Sequence, residues 1–108
     1  MRKGQPMDTP VIFRMDREGI VFALLPELPA DGDGFYCTCF QHIGQHGAAD
    51  YYACIATSRP ATPDEYADLL MELTQRGYHL QVHQRATPAM HERRRILALP
   101  CDFGGSVG

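Results

Sequence analysis

Residues 11–25, VIFRMDREGIVFALL, set the fold class of this chain. Two apolar, β-prone runs, Val11 to Met15 and Ile20 to Leu25, flank Asp16-Arg17-Glu18-Gly19, which reads as a hairpin closed by a short glycine-containing turn. The second run is apolar at nearly every position, so it belongs inside a sheet with both faces largely covered. Beyond it, Pro26, Pro29 and Asp31-Gly32-Asp33-Gly34 break the pattern into a loop. Phe35 to His42 then reads as a third strand. Residues 48 to 57 read as a fourth, ended by Arg59-Pro60.

The segment that follows is punctuated as a helix. Thr62-Pro63-Asp64-Glu65 supplies an N-cap, a proline at the first helical position and a capping-box glutamate. Tyr66, Leu69, Leu70 and Leu73 fall on one face, and Gly77 provides the left-handed residue past the end, which predicts a helix from about Pro63 to Arg76. Tyr78 to Arg85 alternates, with Tyr78, Leu80 and Val82 on one side and His79, Gln81, His83 and Arg85 on the other, as in a strand with one wet face. Thr87-Pro88 repeats the cap, and Ala89 to Leu99 reads as a second, C-terminal helix stopped by Pro100. Strands followed by helix, strand and helix predict a single α+β domain. In it an antiparallel sheet of about five strands is packed on one side by one long helix. Residues 1–9 and 100–108 are expected to be flexible.

Composition narrows the setting. At 108 residues the chain is one domain with a modest core, and 44% hydrophobic with 21% charged residues is ordinary for a globular protein. The start, MRKGQPMDTP, has no apolar run behind its basic pair, and no stretch approaches the roughly 20 apolar residues of a membrane span. A cytoplasmic protein without a membrane partner is expected. Cysteines at 37, 39, 54 and 101 lack a paired framework, so reduced thiols are expected. A net charge of -3 argues against nucleic-acid binding by bulk electrostatics. From Arg76 to Arg95, however, five arginines and three histidines face the single acid Glu92.

Chemistry-bearing residues crowd into Cys37 to Tyr52, CTCFQHIGQHGAADYY. If Ile43-Gly44-Gln45 is a three-residue hairpin loop, with Gly44 or Gly47 taking the positive φ, His42 and His46 sit opposite one another. Period-two alternation then puts Tyr36, Thr38, Phe40 and His42 on the side of His46, Asp50, Tyr52 and Cys54. Cys37 and Cys39 fall on the other side with Ala53 and Ile55. That sorting disfavours a four-ligand zinc site and makes Cys37 and Cys39 small buried hydrophobes. The histidines could hold a metal with an open position, zinc being the alternative to no cofactor, or work as an acid–base pair near neutral pH. A simpler role stands beside these: a histidine next to a tight turn often hydrogen-bonds a backbone group there.

Asp31-Gly32-Asp33-Gly34 lacks the later acids of a calcium loop and reads as a solvated turn. His79, Gln81, His83, Arg85 and Arg93 to Arg95 form a basic face that could contact phosphate or single strands, against the bland reading of a solvated surface.

The segment HIGQHGAADYY, with the RPATPDEYADLLMEL and GYHLQVHQR segments after it, resembles a family of small uncharacterised bacterial proteins, some carried on phages and plasmids. In that family a cysteine precedes a His-x-Gly-Gln-His turn, matched here by Cys37 or Cys39 and by His42, Gly44, Gln45 and His46. The resemblance covers roughly Val11 to Arg95. It implies a compact α+β fold and an important turn, and no particular activity. The expectation is a non-enzymatic binding or adaptor module with no catalytic residue assigned. It would recognise a small molecule or peptide through Tyr36, Phe40, His42, Gln45, His46, Asp50 and Tyr52. The alternatives are a metal-dependent or histidine-based hydrolase at His42 and His46, and a nucleic-acid-binding accessory protein using the basic C-terminal face. Oligomeric state is left open.

Overall fold

The hairpin of residues 11–25 forms as its sequence dictates. The computed structural model describes residues 8–32, 34–41 and 45–98. In it β1 (Thr9–Asp16) and β2 (Val21–Pro29) pair antiparallel, with Ile12 opposite Leu24 and Met15 opposite Val21. The Asp16 carboxylate closes the turn, accepting from the N–H groups of Glu18 and Ile20 at 2.9 Å each.

On the far side of β2 lie β3 (Cys37–Gln41) and then β4 (Gln45–Ala49), the last strand on that side. The outer edge of β1 is shared by two short strands. β5 (Ser58–Pro60) pairs antiparallel with Arg14 to Asp16, and β6 (Leu80–Val82) pairs parallel with Thr9 to Val11. The sheet thus has six strands, antiparallel except for β1 with β6. Only three residues of the alternating 78–85 segment pair as strand.

The expected fourth strand is corrected. β4 ends at Ala49 and the chain turns into a short helix, α1 (Tyr51–Ala56). Asp50 causes the turn: its carboxylate accepts from the N–H groups of Tyr52 at 3.1 Å and Ala53 at 3.3 Å. Such side-chain capping offers the backbone an alternative to a sheet ladder.

The long helix, α2 (Pro63–Gln75), carries the full capping box. Thr62 Oγ1 accepts from Glu65 N at 3.3 Å, and Glu65 Oε1 accepts from Thr62 N at 2.9 Å. Arg59 and then the Thr62 N–H hold the Glu65 carboxyl down to about 2. Gly77 takes φ 104°, the left-handed residue its position requires. α3 (Pro88–Leu97) starts at the second Thr-Pro pair.

Helices cover both sheet faces rather than one. α2 lays Leu69 and Leu73, with Tyr66 and Leu70, onto Val11, Phe13, Ala23, Leu25 and Phe40. α1, on the opposite face, packs over Ile12, Phe22, Leu24, Cys37 and Ala49, and α3 joins it through a ring contact between Tyr51 and His91. Burial raises the Cys37 thiol to about 12, and Cys37, Cys39 and Cys54 are free thiols. No described helix is long and apolar enough to cross a membrane. Of the ends expected to be flexible, only Asp8 and Thr9 are among the described residues, and Thr9 opens β1.

Candidate ligand-binding site

The hairpin that was to hold the histidine pair has a different register. Gln41 pairs with Gln45 and Phe40 with His46, so His42 is not the partner of His46. His42 and Gly44 lie outside the described residues, as do the side chains of Gln45 and His46. Gly47 does not adopt a positive φ. Phe40 is only 6% exposed and meets Tyr78 edge-on in the core under α2, so it is not on a ligand-facing surface. Asp50 and Tyr52 part from it, because the chain leaves the sheet at Ala49 and period-two alternation ends there. The expected seven-residue face is therefore not one face.

Asp50 and Tyr52 come together with residues from two other elements. The loop before β3 is organised by Asp31, whose carboxylate accepts from Gly34 N at 3.0 Å and Tyr36 N at 3.4 Å. Gly34 has φ 74°, and a Cβ there would stand 3.0 Å from both Arg95 Cα and Ala98 Cβ, so only glycine lets this loop lie against α3. Phe35 and Tyr36 project from it as exposed rings in edge contact at 4.9 Å.

α3 turns Met90, His91 and Arg94 inward at helical spacing. Arg94 is 4% exposed and has no carboxylate partner among the described residues. It donates instead to carbonyls: Nε to Gly34 O at 2.8 Å, Nη1 to Pro26 O at 2.8 Å and Nη2 to Phe35 O at 3.4 Å. Nη1 also donates to His91 Nδ1 at 2.9 Å. Since Arg94 cannot accept, His91 Nδ1 must, which puts the ring proton on Nε2. Burial, then the charges of Arg94 and Arg95, lower the His91 pKa, so the neutral ring is favoured. Tyr52 stacks on that ring at 5.3 Å and Tyr51 meets it edge-on at 4.8 Å. The Tyr51 hydroxyl accepts from Ala86 N at 2.8 Å, fixing α1 to the segment before α3.

Gly34, Phe35, Asp50, Tyr51, Tyr52, His91, Arg94 and Arg95 line a cavity of about 210 Å³. Phe35 and Tyr52 are 58% and 69% exposed at its mouth. A larger hollow of about 490 Å³ beside the 16–19 turn is lined by Asp16 and Arg59, which are already engaged by turn amides and by Glu65. Among the described residues, no three histidine, cysteine or carboxylate side chains converge as metal ligands do. The sequence did not single out His91, and it placed Arg94 only in a basic surface face, because a run of three arginines looks like a solvated helix face. Their signal was the inward stripe Met90, His91, Arg94. No protein-family model, curated protein or solved structure matches the chain.

Proposed function

We propose that this protein is a non-enzymatic recognition module that binds a small ligand or a peptide side chain in the cavity between the 34–36 loop, α1 and α3. The observation that carries this reading is the pairing of exposed aromatic rings, Phe35 and Tyr52, with two buried polar side chains, His91 and Arg94, around one partly open cavity. Binding sites combine apolar walls with a few convergent polar groups in this way. The three free thiols suit a cytoplasmic setting. Hydrolysis at His42 and His46 has no such support, since the register does not pair them.

Amide and side-chain NMR shifts, followed while a mixture of single-ring fragments and short peptides is added, test the reading. Shifts at Phe35, Tyr52 and His91 that Tyr52→Ala abolishes are expected. Shifts confined to the 42–46 turn would overturn it.

A further inference from the structure

Two buried side chains that line the cavity, Arg94 and His91, each keep a donor without a protein partner among the described residues. A guanidinium carries five N–H groups. Arg94 uses one on Gly34 O, two on Pro26 O and His91, and one on Phe35 O at 3.4 Å, a distance beyond the usual range. One Nη2 N–H remains. His91 is 6% exposed, its Nδ1 is occupied by Arg94, and its Nε2–H has no partner among the described residues. A buried donor left unmade is costly, so two on the residues lining one cavity point to an acceptor that arrives from outside.

The charges say which kind of acceptor. Among the described residues Arg94 is neutralised by no carboxylate, and the carbonyls that hold it are dipoles, not counter-charges. Arg95 lines the same space but pairs with Glu92 at 2.8 Å. Among the described lining residues the negative group is Asp50, whose carboxylate is engaged by the N–H groups of Tyr52 and Ala53. The walls are rings. At roughly 30 Å³ per water in the liquid, the cavity holds about seven waters' worth of space, the bulk of one six-membered ring with a small substituent.

We infer that the cavity recognises a single-ring aromatic carboxylate, its carboxylate accepting from His91 Nε2–H and Arg94 Nη2–H and its ring seated against Phe35 and Tyr52. This rests on the recognition role proposed above and assigns its ligand class. A hydrogen-bonded carboxylate on a desolvated guanidinium gains a charge-assisted bond, and an uncharged isostere gains only the ring contact. The carboxylate could belong to a free aryl acid or to the C-terminus of a peptide ending in an aromatic residue.

Isothermal titration of the full chain with benzoate, benzamide, N-acetylphenylalanine and its C-terminal amide, with NMR mapping of each, tests the assignment. Each acid should bind at least tenfold more tightly than its amide, with shifts at Tyr52 and at the His91 Nε2–H resonance, and Tyr52→Ala should weaken every one of them. Tighter binding of benzoate than of N-acetylphenylalanine supports the inference with a free acid as ligand; the reverse order supports it with a peptide terminus. Equal affinity for acid and amide at this cavity overturns the carboxylate assignment and leaves the recognition role standing. Failure of all four to move Tyr52 or His91 overturns both.

Discussion

The two faces of the sheet are built on different principles. Under α2 the packed residues are almost all apolar: Val11, Phe13, Ala23, Leu25, Leu69 and Leu73, with Phe13 stacked on Tyr66 at 4.3 Å. Under α1 and α3 the same sheet meets three buried polar side chains, Arg14, His91 and Arg94. Arg14 works in structure. Its Nε donates to Ser58 Oγ at 2.9 Å, and Nη2 donates to Ile55 O at 3.1 Å and Ser58 O at 2.7 Å, tying the end of α1 to β5. Arg94 and His91 instead line the cavity beside α1. The contrast teaches that one face supplies stability by burying apolar area, and the other gives up part of that gain to hold polar groups in place.

The contrast can be broken most forcefully under α2. Leu73 is completely buried, and Leu73→Ala should cost about 2 to 5 kcal/mol by urea denaturation, a large share of the total for a domain this small. A loss below about 0.5 kcal/mol, the scale of surface changes, would mean that this face is not the stabilising one.

Arg94→Met comes next. It keeps the bulk of the side chain but leaves the carbonyls of Pro26 and Gly34 without donors, for a loss of about 1 to 3 kcal/mol. The diagnostic is local: amide hydrogen exchange at Gly34 and Tyr36 should quicken more than exchange in α2. Uniform quickening would show that Arg94 supports the whole fold and not the loop.

A smaller effect is expected from pH. His91 has a lowered folded pKa, while the unfolded chain protonates it near 6.5. Below about 6.5 the unfolded state binds more protons, so stability falls as pH drops toward the folded value; above it the contribution is constant. Urea midpoints between about pH 5 and 7.5 should slope for the parent and flatten in His91→Gln. Equal slopes would place the linkage on another group.

The smallest change in stability should come from Tyr52→Ala, within about 0.5 kcal/mol of the parent because the ring is largely exposed, yet it should remove aromatic binding. A large destabilisation would make Tyr52 part of the core and erase the distinction between the faces.

Local signals in the sequence accounted for a good part of this architecture. The 11–25 hairpin, the capped α2 and the Thr87-Pro88 start of α3 are each specified by neighbours within a few residues, through turn chemistry, capping and periodicity. The short α1 was hidden because Tyr51 to Ile55 is as β-prone as it is helical. One capping carboxylate, Asp50, decided the outcome. The candidate site was legible only in small part: Asp50 and Tyr52 were in the expected set, but Phe40 belongs to the core of the opposite face.

What the sequence alone determined was the α+β class, the leucine stripe of α2 and the crowding of chemistry near residues 37–52, all consequences of short-range chemistry. Tertiary structure alone decided that α3 returns to lie beside α1 and against the Gly34 loop, which brings residues 34, 52 and 91 around one space. Such long-range juxtaposition leaves no periodic trace, because the partners are set by which faces remain to be covered once the local elements have formed. The same holds for Arg94: in sequence it is one of three consecutive arginines, and only burial among carbonyls distinguishes it from its neighbours.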